Sequence, residues 1–236
     1  MNILTSTFLK QYSLIIFWMI GIVACFLYYV IISKKFNISR VLGLVFSFVI
    51  LLAEIIGAKL LFILERIPNV TINDLTALGG FSLFGVFLFS PFIIFLVCKF
   101  LKFDFITFMD FMSVGILIEL AFYRVGCYVG GCCGGISIST GTSSFVFPVQ
   151  IVEIGLDIAL SAILIIFFLR NKLKKGQLFY LTYAGYGIIR FILEFLRVRN
   201  NLFLVFSLSH IFALMIIIFG VIGFLHTKNI INSKKK

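Results

Sequence analysis

The stretch VQIVEIGLDIALSAILIIFFL, residues 149–169, decides the class of fold. It carries only two charged residues, Glu153 and Asp157, and its second half is wholly apolar apart from one serine. At a rise of about 1.5 Å per residue, a helix of this length crosses the hydrocarbon core of a bilayer. The stretch is therefore predicted to be a transmembrane helix.

Six further stretches share this length and apolar character. The whole chain is 62% hydrophobic and 12% charged, with a mean hydropathy of +1.20, which excludes a soluble globular protein. The first stretch lacks a small-residue cleavage pattern after it, so it is kept as a mature helix. The sequence thus predicts an all-α polytopic membrane protein, one transmembrane domain over residues 1–236, with seven helices at 13–33, 41–64, 79–98, 105–124, 149–169, 178–197 and 203–225.

The net charge of +11 reflects membrane topology rather than nucleic-acid binding. Alternate connections and the C-terminal tail hold 13 of the 20 basic residues. Because cytoplasmic loops carry an excess of lysine and arginine, the N-terminus is predicted outside and the C-terminus in the cytoplasm. The residues of that excess are Lys34, Lys35, Arg40, Lys99, Lys102, Arg170, Lys172, Lys174, Lys175, Lys228, Lys234, Lys235 and Lys236.

This orientation places most of the polar residues within the helices at one depth, the outer leaflet. A charged side chain inside a membrane costs about 2.5–3.5 kcal/mol on insertion scales, so it is expected to face a cavity or a partner. The residues at this level are Lys59, Ser82, Arg124, Gln150, Glu153, Arg190, Glu194 and His210.

Helical spacing groups these residues into two faces. Gln150, Glu153 and Asp157 share one face of the fifth helix, and Arg190, Glu194 and Arg197 share one face of the sixth. Two interpretations remain open: ion pairs that fix the helix bundle, or a polar site completed by Arg124. An arginine fork suits a phosphate, and a phosphate at this depth would belong to a lipid headgroup.

The segment RVGCYVGGCCGG, residues 124–135, is predicted to be an anchored arginine followed by a pliable loop that closes over a headgroup. Its Cys127, Cys132 and Cys133 could form a disulfide on the outer side, or include a redox-active or acyl-accepting thiol. A zinc site is poorly supported, because no fourth ligand stands nearby in the sequence. No metal or other cofactor is expected.

Six segments, in chain order, resemble the prolipoprotein diacylglyceryl transferase family. The segment at 185–197 keeps the family's arginine, glutamate and arginine pattern, and the segment at 147–153 keeps its proline, glutamine and glutamate. Asp110 stands fourteen residues before Arg124 as it does there. The segments are GAKLLFILE (57–65), the stretch around Asp110, RVGCYVGGCCGG (124–135), FPVQIVE (147–153), GYGIIRFILEFLR (185–197) and FSLSHIFAL (206–214).

The resemblance implies transfer of a diacylglyceryl group from phosphatidylglycerol to the lipobox cysteine thiol of a prolipoprotein. The reaction would occur at the outer leaflet of the bacterial plasma membrane, in a multi-pass protein. Its partners would be phosphatidylglycerol, the signal peptides of prolipoproteins and the bilayer. By the same resemblance, Arg190 and Glu194 are expected to be catalytic, and the substrate-binding residues are expected to be Arg124, Lys59, Gln150 and Glu153.

Several positions depart from the family pattern. Phe84 stands where a histidine, the proposed base, is usual, and Cys127 and Cys132 replace an asparagine and a glutamate. His210 stands in the place of a glutamine. His210 and Cys127 are therefore tentative site residues. The alternative function is that of a family paralogue which binds or modifies lipid without prolipoprotein transferase activity.

Overall fold

The computed structural model describes residues 3–72, 81–139, 144–198 and 206–233. Seven long α-helices lie within these ranges, which agrees with the helical fold predicted from the sequence. A short 3-10 helix, Ser33–Phe36, follows the first of them. The helices are α1 (Ile3–Ile32), α2 (Arg40–Arg66), α3 (Leu83–Leu101), α4 (Phe105–Gly130), α5 (Val149–Leu169), α6 (Gln177–Glu194) and α7 (Leu208–Ser233).

Six of these helices are long and apolar enough to cross a membrane, so the chain is a polytopic membrane protein. The six spans are Tyr12–Phe36, Arg40–Arg66, Leu83–Leu101, Phe105–Gly130, Val149–Leu169 and Leu208–Asn229. The sixth predicted span, residues 178–197, corresponds to α6, which is not among them. Its buried face is unusually polar, because it carries Gln177, Thr182, Arg190 and Glu194.

One small sheet was not foreseen by the all-α prediction. Strand β1 (Ser137–Ser139) pairs antiparallel with β2 (Ser144–Val146), and Ile138 lies opposite Phe145. Both strands are only three residues long. Short alternating segments of this kind give too weak a signal to be distinguished from a loop between two transmembrane helices.

The fourth helix is longer than predicted. It ends at Gly130 rather than near residue 124, so the first half of the predicted loop is helical. Ser13 of α1 donates a hydrogen bond to the carbonyl of Gly126 at 3.0 Å, and this contact holds the added turns against α1. The chain leaves the helix at Gly131, whose φ of +73° only glycine adopts readily.

The chain forms two compact units: Met1–Tyr28 with Ser113–Lys236, and Tyr29–Met112. In the first unit, α6 packs mainly against α7 and also against α5. Trp18 of α1 donates a hydrogen bond to the carboxylate of Glu119 on α4 at 2.6 Å. This unit contains the buried charged residues on α5 and α6.

The second unit has an aromatic core. Phe46 of α2 lies 4.5 Å from Phe108 between ring centroids, and Tyr29 stacks on Phe111 at 5.0 Å. The hydroxyl of Tyr29 also donates to the carbonyl of Met112 at 3.1 Å. Helices α2 and α3 pack closely in this unit.

Replacing Gly85 with alanine is expected to weaken the packing of α2 against α3. A Cβ at position 85 would clash with the carbonyl oxygen of Gly57 and lie 2.8 Å from the Cα of Ala58. The helices must therefore separate, at a cost of about 1–3 kcal/mol. Unfolding of the purified protein by SDS, followed by circular dichroism, measures the change.

Gly155→Ala is the matched control, because a Cβ there meets no heavy atom within 4 Å. It should leave the unfolding midpoint unchanged or slightly raised, since alanine favours a helix. If Gly85→Ala unfolded at the wild-type SDS concentration, close packing at Gly85 would not stabilise the second unit.

Candidate active site

Three arginines meet on one carboxylate, that of Glu153. Arg124 Nε lies 2.9 Å from Glu153 Oε2, and Arg190 reaches Oε1 at 3.2 Å. Arg197 contacts Oε2 at 2.9 Å. Glu153 has no exposed surface, and Arg124 and Arg190 are each 3% exposed. We call Arg124, Glu153, Arg190, Glu194 and Arg197 the arginine cluster.

The cluster carries an excess of positive charge. Arg190 also pairs with Glu194 at 3.1 Å, one turn along the same helix. Three arginines and two glutamates give a net charge of 3 − 2 = +1. The guanidinium groups offer roughly fifteen N–H donors against roughly eight carboxylate acceptor sites. An anion with several oxygens would balance both the charge and the donors.

The predicted helical faces explain most of this arrangement. Gln150, Glu153 and Asp157 are all buried on one side of α5, as their spacing predicts. Both carboxylate oxygens of Asp157 are buried and have no hydrogen-bond partner in the described part of the chain. The sequence therefore identified the polar face of α5. It did not show that Glu153 forms ion pairs with arginines whereas, among the described residues, Asp157 does not.

Arg197 is positioned differently from the prediction, because α6 ends at Glu194. Its backbone forms a β-bridge with Gly135, the last residue of the glycine and cysteine segment. A Cβ on Gly135 would clash with the carbonyl oxygen of Phe147 and lie 2.9 Å from that of Leu196. Glycine at 135 thus permits the bridge that holds Arg197 beside Glu153.

Three thiols lie beside this cluster. The Sγ atoms of Cys127, Cys132 and Cys133 all lie within 4.8 Å of one another. Arg124 Nη1 is 3.9 Å from Cys127 Sγ, and the Gln150 amide donates to the carbonyl of Cys132 at 2.7 Å. All of these cysteines are free thiols, so the disulfide considered from the sequence is not formed here.

Cys133 is the most exposed of the three thiols. Its hydrogen bond with Cys127, a second one with Cys132 and the charges of Arg124 and Arg197 lower the pKa of its thiol to about 5. Partial burial acts in the opposite direction but is outweighed. Cys133 is therefore expected to be a thiolate at neutral pH.

His210 is buried at the start of α7 and contacts the cluster through Ser207. Its Nδ1 accepts a hydrogen bond from the backbone N–H of Ser207 at 3.1 Å, and the Ser207 hydroxyl donates to Glu194 at 3.4 Å. Its ring lies against Phe195, with centroids 4.4 Å apart. Ser207 is the N-cap of α7, and His210 is its third helical residue. A side chain at this third position that accepts a hydrogen bond from the N-cap N–H forms one half of a capping box, and glutamine is favoured at this position.

His210→Gln is expected to be nearly silent, because glutamine can make the same cap hydrogen bond. Transfer activity should stay within about threefold of wild type, and the unfolding free energy within about 1 kcal/mol. Assays of both properties in purified protein test this, with His226→Gln on the exposed part of α7 as control. Loss of transfer in a folded, lipid-binding His210→Gln protein would instead identify His210 as the base.

Lys59, Phe84 and Asp110 belong to the second unit. The Lys59 ammonium lies over the rings of Phe62 and Phe81, 5.4 and 5.3 Å from their centroids. Phe84 is buried in α3, at 6% exposure. Substrate binding by Lys59 stays a prediction. Sequence reasoning missed Ser207, although the spacing Ser207-Leu-Ser-His210 resembles a capping signal.

Comparison with known proteins gives consistent matches over most of the chain. The family model described as prolipoprotein diacylglyceryl transferase matches residues 2–226. A phosphatidylglycerol–prolipoprotein diacylglyceryl transferase of Clostridium tetani is 31% identical over 191 residues, which is 74% of this chain and 76% of that protein. One of the same name from Dehalococcoides mccartyi is 28% identical, over 72% of this chain and 71% of its own length.

Proposed function

Because the chain belongs to the prolipoprotein diacylglyceryl transferase family, we propose that the arginine cluster is the active site of its transfer reaction. The chain is a transferase that moves a diacylglyceryl group from phosphatidylglycerol to a prolipoprotein. The acceptor is the lipobox cysteine thiol. Arg190 and Glu194 are the proposed catalytic residues, and Arg124, Gln150 and Glu153 bind substrate, with Lys59 as a further lipid contact.

The observation that carries this proposal is the excess of guanidinium donors over carboxylate acceptors in the buried cluster. Phosphatidylglycerol has one negative phosphodiester, which matches a net charge of +1. A phosphate can accept several N–H bonds at once, and arginine forks suit its geometry. The excess of guanidinium donors over carboxylate acceptors supports a phosphate ligand better than a purely structural ion-pair network, which would balance its charges.

The same charge can accelerate the reaction. When the thiolate sulfur attacks the glyceryl carbon, the bond between that carbon and the phosphate ester oxygen breaks. The oxygen keeps the electron pair, so the leaving glycerol phosphate gains a negative charge. Donors already fixed around that phosphate stabilise the charge as it develops. Arg190 is suited to this because Glu153 and Glu194 hold its two terminal nitrogens in fixed positions.

We further propose that the protein spans the bacterial plasma membrane seven times, with α6 as the sixth span and the C-terminus in the cytoplasm. The distribution of basic residues supports this orientation. The tail Lys234–Lys236 lies outside the described residues. Charged residues on α6 face other side chains rather than lipid, which lets a less apolar helix cross the membrane.

Cysteine labelling tests the topology. In a Cys132→Ser, Cys133→Ser background, Asn232→Cys should react with a membrane-impermeant maleimide only after permeabilisation. Ser144→Cys, exposed on β2, is the control and should react in intact cells. Labelling of Asn232→Cys in intact cells would reverse the proposed orientation.

Complementation tests the function. A bacterial strain depleted of its own transferase should recover lipoprotein maturation when this chain is expressed. Mass spectrometry should then detect a diacylglyceryl thioether on the lipobox cysteine. A chain that is inserted and binds phosphatidylglycerol but forms no thioether would instead fit the alternative, a lipid-binding paralogue.

A further inference from the structure

The cysteine triad, Cys127, Cys132 and Cys133, brings three thiols to one point. Their sulfur atoms lie within 4.8 Å of one another, and Cys133 is hydrogen-bonded to both of the others. Sulfurs bound to one tetrahedral zinc at about 2.3 Å lie about 3.8 Å apart. Small side-chain rotations would therefore bring all three to a common metal ion.

We propose that the cysteine triad binds one Zn²⁺ through three thiolates and leaves its fourth position open to an incoming thiol. Among the residues described, no fourth histidine, cysteine, aspartate or glutamate joins the group. The lack of a fourth ligand made zinc poorly supported by sequence alone. Catalytic zinc sites, however, use three protein ligands and an open position.

The backbone holds the ligands in place. The N–H of Cys132 donates to the carbonyl of Cys127 at 3.0 Å. The carbonyl of Cys132 in turn accepts from the Gln150 amide at 2.7 Å, which ties the segment to α5. Cys127 is fully buried, Cys132 half-buried and Cys133 exposed, so one side of the triad is accessible.

A guanidinium group lies beside the triad. Three thiolates bound to Zn²⁺ carry a net charge of 2 − 3 = −1, which a neighbouring cation stabilises. Arg124 Nη1 lies 3.9 Å from Cys127 Sγ.

The role of the open position rests on the proposed function. A lipobox thiol that coordinates zinc releases its proton to water and becomes a thiolate. Its sulfur then attacks the glyceryl carbon. The carbon–sulfur bond forms, the carbon–oxygen bond breaks with its electron pair on oxygen, and glycerol phosphate leaves. Zinc keeps its charge throughout, and coordination to it supplies the thiolate without a histidine base.

Metal binding can be measured without lipid or turnover. Full-length protein, purified in detergent, reduced and stripped of metal, is titrated with Co²⁺ as a spectroscopic substitute for Zn²⁺. We expect one equivalent to bind with a thiolate-to-cobalt charge-transfer band that Zn²⁺ abolishes. Cys133→Ser and Cys132→Ser should each lose this band.

Cys25→Ala and Cys98→Ala are the matched controls, since both remove a buried thiol outside the triad and should keep the band. Absence of stoichiometric Co²⁺ binding by wild type would overturn the site. So would a full-strength band in both serine variants. A count of three rather than five thiols in protein prepared without reductant would show a disulfide in its place and overturn the site as well.

A peptide with a lipobox cysteine tests the open position. Adding it to the Co²⁺ form should shift the charge-transfer band, whereas the same peptide with serine should not. An unchanged spectrum with the cysteine peptide would overturn the thiol-binding role. If the chain binds Co²⁺ but does not restore lipoprotein maturation in the depleted strain, the proposed function is wrong and the metal site stands. If a Cys132→Ser, Cys133→Ser protein restores maturation, zinc takes no part in the reaction.

Discussion

Glu153→Gln is expected to abolish transfer and to destabilise the first unit by about 3–5 kcal/mol, because it removes the one charge that three arginines share. Glutamine keeps the shape of the side chain but replaces an acceptor oxygen with a donor NH₂ that faces guanidinium groups. The net charge of the cluster rises from +1 to 3 − 1 = +2 at a site with no exposed surface. SDS unfolding and the folded fraction after purification measure this loss.

Glu119→Gln is the matched control for that variant. Glu119 is a partly buried carboxylate of the same unit and accepts a hydrogen bond from Trp18, which a glutamine oxygen can also accept. It should change the unfolding free energy by less than about 1 kcal/mol. A Glu153→Gln protein as stable and active as wild type would show that the arginines do not depend on this carboxylate.

Helix positions were largely predictable because the bilayer imposes a minimum apolar length. The stretch at 149–169 forms a helix over those same residues. The end of α4 was less predictable, because glycines at 126 and 130 resemble a loop in sequence. Close packing against α1 through Ser13 requires small residues there, and that contact is visible only in three dimensions.

The site was predictable only in part. Spacing grouped Glu153 with its neighbours on α5, and Arg190 with Glu194 on α6. Membrane depth added Arg124 to the candidate polar site, but spacing could not show that all three arginines contact Glu153, because those contacts join separate elements. The convergence of the three cysteine side chains was likewise not predictable from their spacing. Cys133 has a positive φ of 58°, a backbone turn that a C-x4-CC pattern does not reveal.

Arg190→Ala is expected to lower kcat/KM for transfer by two to three decades. The change removes the donors proposed to stabilise the leaving phosphate, which is worth about 2–4 kcal/mol in the transition state. It also reduces the charge of the cluster from +1 to 2 − 2 = 0, so the site no longer favours an anion. The protein should still fold, because Arg124 and Arg197 remain paired with Glu153.

Arg190→Lys separates charge from geometry. Lysine restores the net charge of +1, but its single ammonium cannot hold Glu153, Glu194 and a phosphate in the planar arrangement of a guanidinium. Activity should therefore stay well below wild type, nearer to the alanine variant, in a thioether assay with phosphatidylglycerol vesicles. Arg170→Ala, on the exposed end of α5, is the control and should retain full activity. A fully active Arg190→Ala protein, shown to be inserted and folded, would mean that Arg190 takes no part in the reaction. An Arg190→Lys protein with the wild-type rate would show that the positive charge alone suffices.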